Sequence, residues 1–335
     1  MTTYPKDFVP DVRRLRRWPT LHDSLWRNPD LVNLTYSGLA RSVQASIGPA
    51  PRRVLYVGPG LGHIALELAR SGHDVTGVDV DEEVVSVARR AAETDPFLDT
   101  RGSLSYEVAE FPGEFGGKGP YDRVLFSRVL HHITDPSAAV AKADELLGRD
   151  GTIVCFEFAH DRLGRTGARW MAASMMWLAG VGWWTEPPTG SLEDETERTL
   201  RDWQADHESE GLNSFQAMIA PLRSTFSLQR LTWHPYLFWD LAAEMRVPAE
   251  QEADVAVRLR NQEAALLAQG RLQGVLFSTT GERRTACERP RASGPGSRLM
   301  PSLRGRARAL SGCGTFQPRE ETNGDVSRDI VAGST

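Results

Sequence analysis

From Arg52 onward the apolar residues fall into short runs, and between the runs they recur every three or four positions. Arg53-Val-Leu-Tyr-Val57 and Asp74-Val-Thr-Gly-Val78 are runs of the first kind. Short β-branched runs read as strands and the 3.6-residue rhythm reads as helix, so the alternation predicts βαβ units around a parallel sheet. The first helix passes through Ile64, Leu66 and Leu68 and stops at Gly72; Asp81 caps a second from Glu82 to about Glu93. Ser103 to Val108, Tyr121 to Ser127 and Gly151 to Glu157 supply three more strands. Asp135-Pro136 starts the helix that ends at Gly148, with the acid as N-cap and proline in the first turn. Five such strands joined by right-handed crossovers form a doubly wound α/β sheet.

The flanks follow other rhythms. Residues 1–48 read as an amphipathic helical segment: Leu21 and Leu25 precede a break at Pro29, Leu31, Leu34 and Leu39 follow it, and Pro49 and Pro51 close it. Residues 160–222 read as a helical insertion that holds Trp170, Trp177, Trp183, Trp184 and Trp203. Trp170, Trp177 and Trp184 lie seven apart, which on a continuous helix makes either a core stripe or a lid over an apolar ligand. Two further strands are expected at Phe226 to Trp233 and Gly274 to Thr279. The expected organisation is therefore 1–48, a domain over 49–280 containing the 160–222 insertion, and a disordered basic tail over 281–335.

Composition narrows the setting. A formal charge of −5 gives the whole chain no pull toward nucleic acid or an anionic membrane. Eight arginines crowd Arg283 to Arg308, but glycine and proline surround them and no aromatic residue is interleaved, so they read as a solvated tail. The apolar stretch Met171 to Trp184 is about fourteen residues long, where a spanning helix needs roughly twenty. Cys155, Cys287 and Cys313 have neither metal-ligand spacing nor a disulfide pattern, no secretory signal opens the chain, and a cytoplasmic protein without a metal is expected. The amphipathic N-terminus offers a cover for a pocket or a homo-oligomer contact.

The chemistry begins at Gly58-Pro-Gly-Leu-Gly62, between the first strand and its helix. Glycines there let a backbone approach a nucleotide-like ligand, and an acid ending the next strand, Asp79, accepts two ribose hydroxyls. Dinucleotide sites space their glycines G-x-G-x-x-G around a pyrophosphate. Here the spacing is G-x-G-x-G, with His63 where a further small residue would stand, which favours S-adenosylmethionine, a ligand without phosphate, over NAD.

These segments, together with Tyr121-Asp-Arg-Val-Leu-Phe-Ser-Arg-Val-Leu-His-His-Ile-Thr-Asp-Pro136 and Gly151-Thr-Ile-Val-Cys-Phe156, resemble the class I S-adenosylmethionine-dependent methyltransferases over about Arg52 to Phe158. The resemblance implies a Rossmann-like, seven-stranded sheet with the insertion between strands five and six. It implies methyl transfer to O, N or C of a small, apolar or aromatic metabolite, with a binding protein or non-methylating enzyme on the same fold as the alternative. By the same resemblance Gly58, Gly60 and Gly62 line methionine and ribose, Asp79 holds the ribose, Val80 packs on adenine, and Glu110 with Phe111 borders its amino group. Ser127 and Arg128 contact the methionine end. Tyr56 stands where the family commonly has an acid for the cofactor's ammonium end, and a phenol carries no charge near neutral pH.

Candidate bases follow strand ends, where doubly wound sheets bind ligands. His132, beside His131, is read either as a pocket residue or as a helix-start residue. His160 follows the fifth strand, and His234, with Tyr236, follows the sixth. Glu157 either orients a base or is a paired structural carboxylate. His207, between Asp206 and Glu208, reads as part of a solvated helix face. No dyad is assigned by spacing alone.

Overall fold

The computed structural model describes residues 25–98 and 102–284. Expectations for residues 1–24 and for the chain beyond Arg284, including Leu21, Cys287, Cys313 and most of the arginine run, lie outside the described residues.

Five parallel strands come first: β1 (Arg53–Val57), β2 (Asp74–Asp79), β3 (Ser103–Val108), β4 (Tyr121–Ser127) and β5 (Leu147–Phe158). Three late strands follow, β6 (Phe226–Leu228), β7 (Thr232–His234) and β8 (Leu276–Arg283). The sheet order is β3-β2-β1-β4-β5-β8-β6, with β7 also paired to β8, so the fold is the expected Rossmann-like α/β sheet. The run from Phe226 to Trp233 makes two short strands rather than one, and both lie antiparallel to β8. β8 runs to Arg283, three residues past the expected domain end, and Arg283 pairs with Asp144 at 2.6 Å. Two of the tail's eight arginines, Arg283 and Arg284, thus belong with the sheet: Arg284 Nε donates to the Arg223 and Phe226 carbonyls.

Alternation along the strands divides the core in two, because successive side chains point to opposite faces. Val54, Tyr56, Leu125, Val154 and Phe156 belong to one buried cluster, and Leu55, Val57, Phe126, Ile153 and Cys155 to the other. Both faces are covered, which is why β1 is apolar in every position after Arg53. The helices start where the caps predict. Asp81 accepts from the Glu83 and Val84 amides at the head of α4 (Glu82–Glu93, after α3, His63–Arg70), and Asp135 accepts from Ser137 and Ala138 at the head of α5 (Pro136–Leu146).

The N-terminal segment is helical from Leu25: a 3₁₀ turn (Leu25–Arg27), α1 (Pro29–Val32), a π-helical turn (Asn33–Ser37) and α2 (Gly38–Ile47). Pro29 is a helix start rather than a mere break, with Asn28 as its cap. Between β5 and β6 stand α6 (Arg165–Gly180), α7 (Leu192–Glu210) and α8 (Phe215–Thr225); α9 (Leu237–Glu244) and α10 (Ala249–Ala268) precede β8. The tryptophan stripe does not form. α6 ends at Gly180, before Trp184, and Trp170 is buried while Trp177 is 51% exposed.

The N-terminal segment is tied across the fold by Arg27. Its guanidinium donates to the Ala242 and Ala243 carbonyls at 2.8 and 2.7 Å and pairs with buried Glu252 of α10. Asn28 Nδ2 donates to the same carboxylate at 2.6 Å. These contacts set Tyr36 above the carboxyl ends of the central strands.

Candidate active site

The carboxyl ends of β1, β2, β4 and β5 lie level with one another, since Val57 pairs with Val78 and Phe126, and Ser127 with Phe156. The three turn glycines all have positive φ, at 66°, 54° and 79°, but they serve different neighbours. A Cβ on Gly58 would stand 2.3 Å from the Val129 side chain, and one on Gly62 would stand 2.4 Å from the Tyr106 hydroxyl. Those two admit protein. A Cβ on Gly60 would meet nothing within 4 Å, so Gly60 is the glycine of the turn that faces open space.

Asp79 closes the turn from the side. Its Oδ2 accepts the Gly60 amide at 3.0 Å and its Oδ1 the Asp81 amide at 3.1 Å, and the Val80 amide is a further backbone donor. Burial raises its pKa above the usual carboxylate value, and the backbone donors pull it partly back. Next to it Val80 is 71% exposed, an apolar side chain uncovered beside a carboxylate. The Ala109 amide donates to the Asp79 carbonyl at 3.0 Å, so the Glu110–Phe111 turn borders the same cleft. Glu110 is exposed, whereas Phe111 turns inward against Phe115 and Phe126.

The other end of the cleft carries a buried cation. Arg128 follows β4 with a left-handed φ of 56°, which a non-glycine residue adopts only when its surroundings hold it there. Its amide donates to the Phe156 carbonyl at 2.8 Å, and its guanidinium lies 4.9 Å from the ring centres of both Tyr36 and Trp239. Arg128 Nε is buried and has no hydrogen-bond partner among the described residues. Tyr56 lies beneath it; burial pushes its phenol up to about 12, and Arg128 and the adjoining Ser127 hydroxyl oppose this less strongly. This end of the cleft is thus lined by a guanidinium and phenols, where the resemblance implied an acid in the place of Tyr56.

These residues fit S-adenosylmethionine. The Asp79 carboxylate suits ribose hydroxyls, Val80 suits the adenine face, and Gly60 leaves room for the sugar. Arg128 suits the amino-acid carboxylate.

The histidines divide into three places. His131 and His132 follow Arg128, and their rings lie 4.2 Å apart. Glu157, fully buried, accepts the Val129 and Leu130 amides on Oε1 at 3.0 and 2.9 Å. Its Oε2 accepts from His131 Nδ1 at 2.9 Å. That bond fixes the tautomer and leaves Nε2 as the basic nitrogen. The histidine bonded to a buried carboxylate is thus His131, one residue before the candidate His132, which is exposed. His160 sits on the same rim, stacked on Trp203 at 4.3 Å and on His207 at 5.3 Å. Burial lowers its pKa to about 4, with His207, His131 and His132 adding to the effect. His207 is half-buried in this stack rather than part of a solvated face. His234 is apart: its Nε2 bonds Ser278 Oγ at 2.7 Å, and it lines a different chamber.

Asn213, between α7 and α8, has a role that no sequence pattern announced. Its side chain donates to the Leu130 and Ile133 carbonyls at 3.2 and 2.7 Å, and its amide to the His131 carbonyl at 2.8 Å. It latches the insertion to the His131 segment. Phe158 joins the two, contacting the rings of His131, His160, Trp203 and Tyr236. Among the described residues no group of histidine, cysteine, aspartate or glutamate side chains could hold a metal ion, and no helix is long and apolar enough to cross a membrane.

Comparison with known proteins agrees with this geometry. Residues 55–155 match the family model described as a methyltransferase domain. The chain is 34% identical over 110 residues to a ubiquinone biosynthesis O-methyltransferase of Psychrobacter cryohalolentis, covering 33% of this chain and 42% of that protein. It is 30% identical over 163 residues to polyamine aminopropyltransferase 2 of Caldanaerobacter subterraneus, covering 40% and 54%. It thus spans only about half, or less, of the curated relatives it matches. Among solved structures it is similar to the geranyl diphosphate C-methyltransferase of Streptomyces coelicolor, with a TM-score of 0.47 and 12% identity over 76% of this chain and 80% of that one. The stretch that carries β1 to β5 thus matches a methyltransferase domain, in line with the expected resemblance.

Proposed function

We propose that this chain transfers the methyl group of S-adenosylmethionine to a small apolar or aromatic acceptor, with His131 receiving the acceptor's proton. The observation that carries the reading is one of position. A histidine fixed by a buried carboxylate stands on the same strand-end rim as the Gly60–Asp79 cleft. When bound, the cofactor supplies a methyl carbon made electrophilic by its sulfonium. The chain's own residues then have three tasks. Asp79 and Arg128 hold the two polar ends of the cofactor, so that attack needs no search in orientation. Phe158, Tyr236, Trp203 and His160 wall the space beside His131 with rings, which suits a flat or apolar acceptor and displaces water. His131 Nε2 takes the proton that a hydroxyl or amine acceptor loses as its bond to carbon forms, while Glu157 stabilises the resulting imidazolium.

The ubiquinone-type relatives are named for O-methylation, which supports a hydroxyl acceptor. Incubating the chain with methyl-labelled cofactor and a panel of phenols, amines and activated carbon acids, then reading products by mass, tests the reading. A labelled methylated product is expected. Tight cofactor binding with no transfer to any class would favour the alternative, a binding protein on the same fold.

A further inference from the structure

Trp239 has two sides. One faces Arg128 and Tyr36, at 4.9 and 5.2 Å between centres. It also lines a second chamber of about 310 Å³, between the N-terminal segment, α9, α10 and the start of β8. That volume is at the lower end of the range for small-molecule sites. Leu39, Phe238, Trp239 and Leu276 are all buried and form an apolar floor. Two cations, Arg41 of α2 and Arg260 of α10, complete the lining, the first exposed and the second half-buried.

No carboxylate lines this chamber among the described residues. Two neighbouring acids are engaged elsewhere. Glu263, one residue before the lining Ala264, accepts the Tyr236, Leu237 and Phe238 amides at 2.8, 3.0 and 2.9 Å. Glu67, whose carboxyl feels Arg41, is hydrogen-bonded to Arg70. His234 is pushed toward its neutral form by burial and holds Ser278. Two arginines thus line an apolar space whose lining holds no carboxylate among the described residues. Such an arrangement is complementary to a ligand that is anionic at one end and apolar at the other.

We propose that this chamber is a second ligand site for an amphipathic small-molecule anion. Arg41 and Arg260 hold its carboxylate or phosphate, and its apolar body lies on Leu39, Phe238 and Trp239. The site is separate from the Gly60–Asp79 cleft and does not depend on the methyl-transfer reading. Trp239 links the two, so a body pressed against one side of its ring steadies the ring against Arg128.

Calorimetric titration of the full chain with octanoate, octyl phosphate, 1-octanol and inorganic phosphate tests the proposal. Octanoate, octyl phosphate or both are expected to bind one per chain, with 1-octanol and inorganic phosphate at least about tenfold weaker. The stronger of the two amphiphiles identifies the head group. Arg41→Gln and Arg260→Gln are each expected to weaken the anions about tenfold and to leave 1-octanol unchanged. Both variants should bind S-adenosylmethionine as the parent does, which shows that they fold and separates this site from the cofactor cleft. Equal binding of 1-octanol and octanoate, parental affinity in Arg260→Gln, or no binding of either amphiphilic anion would overturn it.

Discussion

Glu157 Oε2 stands 2.9 Å from His131 Nδ1, and the other oxygen of the same carboxylate holds the two backbone amides that lead into that histidine. One buried side chain thus sets both the backbone path after β4 and the tautomer of the ring it carries. His131→Asn should lower kcat toward a hydroxyl acceptor by about 10²-fold or more, with cofactor affinity unchanged. Glu157→Gln keeps a carbonyl oxygen for the amides but loses the charge that stabilises the imidazolium. Its kcat should fall while KM for the cofactor stays. Equal losses in cofactor binding and in kcat would mean that the pair only supports the loop.

Arg128 is the cation at one end of the cleft, in a left-handed backbone conformation and beside two aromatic rings, and is proposed to hold the cofactor's amino-acid end. Arg128→Gln should weaken S-adenosylhomocysteine by at least about tenfold, the value of a lost charge-assisted pair. It should leave 5′-methylthioadenosine, which lacks the amino-acid end, within about twofold. Equal weakening of both ligands would place Arg128 in the scaffold instead.

His63 opens α3 directly behind the glycine turn, its Nε2 3.2 Å from Ser37 Oγ. Burial, with Arg70 adding, lowers its pKa to about 4. A histidine held neutral in the folded chain contributes its full stability above pH 6.5. It loses that contribution as the pH falls toward 4, because only the unfolded chain takes up the proton. The cost approaches about 1.4 kcal/mol for each pH unit in that window. Melting temperatures measured from pH 7 to 4.5 should fall less steeply for His63→Gln than for the parent; parallel slopes would remove His63 from the account.

Much of the cofactor cleft was legible in the chain itself. Strand, glycine turn, helix and acid are local features, and their spacing alone places Asp79 beside Gly60. The division of labour among the glycines was not. Only packing shows that Gly58 and Gly62 yield to Val129 and Tyr106 while Gly60 faces the ligand space. His131 and Glu157 are 26 residues apart and meet because β4 and β5 are neighbours, so no spacing rule pairs them. Asn213 is more distant still, 83 residues from the Leu130 carbonyl that it holds. The tryptophan stripe failed for a local reason: the helix stops at Gly180, and a seven-residue repeat means nothing once the helix has ended. His234 was placed with the other strand-end histidines because one strand was expected where there are two. The extra turn carries it to the chamber of Arg41 and Arg260.

Asp79, with the turn it closes, is proposed to hold the S-adenosylmethionine that the chain uses for methyl transfer. Calorimetric titration of S-adenosylmethionine into the parent and into Asp79→Ala tests it most directly. One carboxylate accepting two hydroxyls accounts for hydrogen bonds of about 1.5–3 kcal/mol each, so the variant should bind at least about thirtyfold more weakly while its secondary structure is kept. Parental affinity in the folded variant, or no binding of the cofactor by the parent, would contradict the account.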